Sequence, residues 1–252
     1  MSDRVLAALD GGVLTATLNR PEKKNAIDTA MIDALLTLLE RADLDSAVRV
    51  VAVRGAGADF CAGMDLNELL ASADKSVEQN RQAALHFAEI FVRMRHIPKP
   101  IVAVVHGRAL AGGCGLATAC DLVLATESAK FGYPEVQRGF VPAIVMTLLK
   151  RTTGEKVAFD LAATGRILGA PEAAGLGLVS RVYEDSDFED QVAEVLRALA
   201  AASPSALAFT KQQFYELDGL RFEDGIRLGA DVNAVSRTTP DFRAALQAFL
   251  KK

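Results

Sequence analysis

The chain has 252 residues, half of them hydrophobic, and its 28 lysines and arginines against 32 aspartates and glutamates leave a net charge of −4. That length and apolar content suit one domain, or one domain with an appendage, around a substantial core. No basic surface calls for nucleic acid, so the expected partner is a small molecule.

Alternating apolar residues over 4–9 and 13–19 flank Asp10-Gly11-Gly12 and predict an opening β-hairpin. Asp28 is the expected N-cap of an amphipathic helix in which Met31, Leu35, Leu38 and Leu39 recur at helical spacing. A strand over 48–53 runs into a glycine-containing corner, 54–66, and a helix over 77–95 is stopped by Ile97-Pro98-Lys99-Pro100. The β-branched run 101–105 predicts a buried strand that empties into His106-Gly107 and Ala111-Gly112-Gly113, with a helix beginning at Leu116. Extended segments over 122–125 and 130–133 follow and deliver Glu135.

Beyond Val141 the strand signals nearly vanish, apart from 178–183, and helical patterns punctuated by Pro171, Pro204 and Pro240 run to the end. The pattern is an α/β core with mostly parallel strands, 1–195, followed by a helical C-terminal region, 196–252. No GxGxxG follows a strand and no GxxxxGK[ST] occurs, so a nucleotide cofactor finds no support. Residues 1–10 lack a targeting pattern and no apolar run approaches the roughly 20 residues that span a bilayer, so a cytoplasmic protein without a membrane partner is expected. Cys61, Cys114 and Cys120 lack paired ligand spacing and read as reduced structural thiols; no metal site is expected.

The two glycine corners have one chemical use in common. Each can aim a backbone N–H at the same oxygen, and two such donors form an oxyanion hole, in which each is worth about 3 kcal/mol to a transition state.

Five motifs then carry a resemblance: Asn19-Arg20-Pro21 with Asn25-Ala26; Phe60-Cys61-Ala62-Gly63-Met64-Asp65-Leu66; Ala111-Gly112-Gly113-Cys114 with Ala119-Cys120-Asp121; Phe131-Gly132-Tyr133-Pro134-Glu135; and 173–179. In this order they resemble the crotonase superfamily, the enoyl-CoA hydratase/isomerase family, over nearly the whole chain. The resemblance implies a spiral of ββα repeats capped by C-terminal helices that build homotrimers or homohexamers. It implies an acyl-CoA substrate whose carbonyl oxygen sits between the N–H groups of Met64 and Gly112, coenzyme A being part of the substrate and no separate cofactor being needed. Glu135 is then the catalytic acid/base, although Pro-Glu in an arbitrary chain is an exposed turn. Ala62 and Leu66 line the coenzyme A path with backbone groups, and Lys24 (or Lys23) and Lys252 meet its phosphates. Asp65 is a substrate-binding candidate that also reads as the cap of a short helix.

One departure matters. Typical enoyl-CoA hydratases carry a second glutamate two residues after the Gly-Gly, where this chain has Gly115. Hydration is served by two carboxylates holding one water, whereas a double-bond shift needs a single base. The expectation is therefore an enoyl-CoA hydratase/isomerase, with a Δ3,Δ2-enoyl-CoA isomerase lacking hydratase activity as one alternative. A non-catalytic acyl-CoA-binding relative is another, and an acyl-CoA decarboxylase or hydrolase stays open. Val141-Pro142-Ala143 offers no replacement carboxylate. His86 is a distant candidate by analogy with dehalogenase members, His96 reads as a helix-dipole partner and His106 as structural. Leu69, Leu70, Phe87 and 141–146 are the expected acyl pocket.

Overall fold

A computed structural model describes residues 3–251. The predicted hairpin is β1 (Val5–Asp10) and β2 (Val13–Leu18), antiparallel from Val5 opposite Leu18 to Asp10 opposite Val13. After a 3-10 turn at Pro21–Lys23, α1 (Thr29–Leu44) starts on Asp28, whose carboxylate accepts the Met31 N–H at 2.9 Å. Next come β3 (Val50–Gly55), α2 (Leu66–Ser72), α3 (Val77–His96) and β4 (Ile101–Val105), with a Ser76/Gln79 capping box opening α3. Then β5 (Arg108–Leu110), α4 (Gly112–Thr118), β6 (Leu122–Thr126) and β7 (Lys130–Gly132) lead to a second 3-10 turn, Pro134–Arg138. After it come α5 (Met146–Thr153), α6 (Glu155–Thr164), β8 (Ile167–Gly169), α7 (Ala170–Gly175) and β9 (Arg181–Tyr183). The chain closes with α8 (Phe188–Ala201), α9 (Pro204–Glu216), α10 (Phe222–Ser236) and α11 (Pro240–Leu250).

Two details differ from the sequence reading. The helix expected from Leu116 begins four residues earlier, at Gly112, because the glycines that disfavour a helix intrinsically are what let this one pack closely. The three-residue strands β5 and β8 carry too little periodicity to be predicted.

A six-stranded sheet has the order β1-β2-β3-β4-β6-β9 and a three-stranded one the order β5-β7-β8. In the large sheet all pairs but β1·β2 are parallel, and its central strands are buried on both faces, which is why they read as unbroken apolar runs. Val51, Val53, Ile101, Ala103 and Val105 point into the main core with Met31, Leu35 and Ile90 of α1 and α3. Val50, Ala52, Val102, Val104 and Leu124 point the other way, onto Phe188, Val192 and Leu196 of α8. A division of the chain at 195/196 therefore passes through a helix that covers the sheet.

Each turn of the spiral places a long strand in the large sheet and then a short extended piece in the small one. Cys61 bridges to Ala109 in β5, Ala109 pairs with Phe131 in β7, and Phe131 pairs with Leu168 in β8. Three residues beyond Cys61 and Ala109 come Met64 and Gly112, and four beyond Phe131 comes Glu135. The three candidate groups thus occupy matching stations in successive repeats.

Candidate active site

The first corner is held by Arg20 and Asn25, which the motif reading quoted without a role. Asn25 accepts the Arg20 N–H through Oδ1 at 2.9 Å and donates through Nδ2 to the carbonyls of Ala56 and Asp59 at 2.8 and 2.7 Å. The Arg20 guanidinium lies 3.3 Å from Asp28 and 2.9 Å from Asp65, so one cation joins the N-caps of α1 and α2. Asp65 is buried; its Oδ1 accepts the Asn67 N–H and its Oδ2 the Arg20 guanidinium, which is the helix-capping role. Burial pushes this carboxyl up, but Arg20 and the amides of Asn67 and Glu68 outweigh it and leave it below the usual aspartate range.

Around the corner, Asp59 receives both the backbone and the guanidinium of Arg108, at 2.7 to 3.0 Å, tying the corner to β5. The Arg108 hydrogen bond holds Asp59 below the ordinary value. Cys61 completes the join, its N–H donating to the Arg108 carbonyl at 2.9 Å and its carbonyl accepting the Leu110 N–H at 2.9 Å.

The two corners meet at glycines. A Cβ on Gly63, which has φ +100°, would fall 2.8 Å from the Ala111 Cβ and 3.3 Å from the Gly112 nitrogen; one on Gly113 would fall 2.4 Å from the Cys61 carbonyl oxygen. Ala111, just before α4, itself sits at φ 50° and ψ −129°, an unfavourable conformation for a residue with a side chain. It turns the chain so that Gly112 opens the helix beside Met64. Among the described residues neither the Met64 nor the Gly112 N–H donates a hydrogen bond. Phe87 of α3 lies over Gly112, its Cζ 3.3 Å from where a Cβ would be, and packs edge-to-face on Phe91.

Glu135 stands in the Pro134–Arg138 turn with only 8% of its surface exposed, and its Oε2 has no hydrogen-bond partner among the described residues. Burial raises its carboxyl above the ordinary glutamate value, against the smaller opposing pull of its own backbone N–H and of Arg138. Val145 fills the place where a side chain at 115 would stand: a Cβ on Gly115 would lie 2.1 Å from Val145 Cγ1.

Other candidates are placed more simply. Lys24 is exposed, and its carbonyl accepts the Ala62 N–H at 2.9 Å, so these two residues adjoin; Leu66 beyond them is 60% exposed. Lys252 lies outside the described residues. His86 pairs with Asp33 at 2.7 Å between α3 and α1, and His106 with the Gly57 carbonyl at 2.9 Å. Within the expected acyl pocket Phe87 is buried, whereas Leu70 is 75% exposed. Val136, Phe140, Val141, Met146 and Phe159 line an open apolar groove of about 330 Å³ next to the Glu135 turn. Cys61, Cys114 and Cys120 are free and buried, and burial pushes the first two thiols up to about 12 and about 11.

Two sheets joined through a row of short strands, with glycine corners between them, are the architecture of the crotonase fold. The Mycobacterium smegmatis enoyl-CoA hydratase crystal structure superposes with a TM-score of 0.94 at 32% identity, over 99% of this chain and 97% of that one. The enoyl-CoA hydratase/isomerase family model matches residues 9–252, and the chain belongs to that family. A Thermus thermophilus protein provisionally named enoyl-CoA hydratase is 40% identical over 96% of both chains. The 1,2-epoxyphenylacetyl-CoA isomerase of Escherichia coli is 31% identical over 100% of this chain and 97% of its own. The protein is accordingly an enzyme of the hydratase or isomerase type acting on acyl-CoA. Among the described residues no single helix is long and apolar enough to cross a membrane.

Proposed function

We propose that this enzyme shifts the double bond of an enoyl-CoA, with Glu135 as its single acid/base. The observation that carries the reading is the combination of a buried Glu135 carboxylate whose Oε2 has no partner among the described residues and a position 115 where Val145 occupies the space of a second carboxylate. The thioester oxygen accepts the N–H groups of Met64 and Gly112, which have no other partner among the described residues and stabilise the enolate by about 3 kcal/mol each. Glu135 removes a proton from C2 of a 3-enoyl thioester, the electron pair moves into the dienolate, and the same carboxyl returns the proton at C4. A raised carboxyl suits this work, because it releases and recovers a proton more evenly than an ordinary glutamate.

Coenzyme A enters as part of the substrate, along Lys24, Ala62 and Leu66, and the apolar groove beside Val136 is the candidate for the acyl tail. A homotrimer or homohexamer is part of the same reading. α10 and α11 bury none of their own side chains, and Phe222, Ile226, Phe242 and Phe249 on them are exposed.

Hydration is the second reading, favoured by the name of the Thermus thermophilus relative. The test is mass spectrometry of crotonyl-CoA and 3-hexenoyl-CoA incubated with the protein in heavy water. Bond migration without gain of water supports the isomerase, whether or not deuterium enters, since the carboxyl can return the proton it took or exchange it first; gain of a water establishes hydration and overturns the single-base reading.

A further inference from the structure

Tyr133 is wholly buried, and its hydroxyl lies 2.8 Å from Thr118 Oγ1. Thr118 Oγ1 also donates to the Cys114 carbonyl at 2.8 Å. A threonine hydroxyl has one proton, so Tyr133 is the donor and Thr118 the acceptor of the bond between them. Thr118 is the last residue of α4, the helix that Gly112 opens. At the other end of that helix, the Ala111 N–H donates to the Gly132 carbonyl at 2.8 Å. Two neighbouring residues, Gly132 and Tyr133, are therefore fastened to both ends of α4.

Glu135 follows immediately. Between it and Tyr133 stands only Pro134, whose ring fixes φ and starts the 3-10 turn. The Glu135 charge reaches back to the same place: burial is the main reason that the Tyr133 hydroxyl and the Cys114 thiol are raised, and Glu135 adds to both. A phenylalanine would fill the same volume, so the hydroxyl, which costs energy to bury, has a use other than packing.

We infer that Tyr133 and Thr118 are positioning residues, whose hydrogen bond sets where the Glu135 carboxylate stands relative to the Gly112 N–H. The inference rests on the reading of Glu135 as the acid/base. Proton transfer is sensitive to such placement, and a displacement of about 1 Å costs about 100-fold in rate.

The test is steady-state kinetics of the full chain on crotonyl-CoA and 3-hexenoyl-CoA for Tyr133→Phe, Thr118→Val, Thr118→Ser and the Tyr133→Phe/Thr118→Val double variant. Tyr133→Phe and Thr118→Val each lower kcat by about 10- to 100-fold and leave KM within about twofold. Thr118→Ser restores kcat, and the double variant falls no further than the worse single, because both remove one interaction. Tyr133→Phe is isosteric and decides the matter even where Thr118→Val fails to fold. Wild-type kcat in Tyr133→Phe, a loss confined to KM, or losses that multiply in the double variant overturns the inference. Glu135→Gln is run beside them: if it retains turnover, the functional reading falls and this one with it. If it is inactive while Tyr133→Phe is fully active, only the positioning role is lost.

Discussion

Val145 holds position 115 at glycine: its Cγ1 lies 2.1 Å from where the smallest side chain would begin. Restoring a second glutamate there is consequently a steric problem before it is a chemical one. Gly115→Glu alone overpacks a buried helix, costs about 1–3 kcal/mol or more, and adds no water to crotonyl-CoA. Gly115→Glu combined with Val145→Gly makes room, because the Val145 Cβ itself lies 2.8 Å from that point and an alanine would keep it; hydration, read as a mass gain of one water, appears or rises in the double variant.

In the role proposed for it, Glu135 trades stability for reactivity. Its folded carboxyl is raised by burial, so it favours the folded state fully below the ordinary glutamate value of 4.5, and that contribution is lost as pH rises through the folded value. Glu135→Gln, which removes the buried charge, raises Tm at pH 8 and does so by less at pH 5. Turnover falls about 100- to 10,000-fold. In the wild type, activity declines as pH drops through the raised carboxyl value, at a higher pH than an exposed glutamate would give.

The Asp59–Arg108 clamp works in the opposite sense. Arg108 holds the Asp59 carboxyl below its usual range, so the stabilisation is present above the ordinary aspartate value and is lost as pH falls through the depressed one. Arg108→Ala leaves Asp59 buried with only a backbone partner, and acid unfolding followed by circular dichroism moves to higher pH.

A third polar cluster joins α9 to the sheet. Lys211 Nζ lies 2.8 Å from Asp121 and donates to the Met94 and Lys99 carbonyls; Tyr215 donates to Asp121 at 2.6 Å. Asp121 in turn accepts the Ile101 N–H at 2.7 Å, at the start of β4. Lys211→Met takes away the cation but leaves Asp121 its bonds from Tyr215 and the Ile101 N–H, and costs about 1–3 kcal/mol in urea unfolding. Tyr215→Phe, which removes one bond of several, costs about 1 kcal/mol.

Where a feature is set by neighbours in the chain, the sequence showed it. The apolar run at β4, the Asp28 cap and the hairpin at Gly11-Gly12 are local events, and the structure has them where the spacing put them. Three of the ordered motifs that pointed to the family fall on matching stations of a repeated turn, beside Cys61, Ala109 and Phe131. What stayed hidden depends on pairs far apart. Val145 meets Gly115 across 30 positions, Lys211 meets Asp121 across 90, and the second sheet face waits for α8. Gly115 read as an absence, whereas the structure makes it a place already taken. Asp65 showed its cap signal but not its ion pair, because Arg20 lies 45 residues upstream.

The three buried thiols give this chain probes of its own motion. An alkylating reagent attacks a thiolate, and burial both shields these sulfurs and suppresses ionisation of Cys61 and Cys114. Under native conditions each reacts only when its surroundings open. Cys61 lies at the seam of the two corners, its carbonyl 2.4 Å from where a Gly113 side chain would stand, while Cys120 adjoins the Asp121 that secures α9. Their separate labelling rates, counted by peptide mass, distinguish undocking of the C-terminal helices from parting of the two glycine corners, and so tell which half of the fold lets go first.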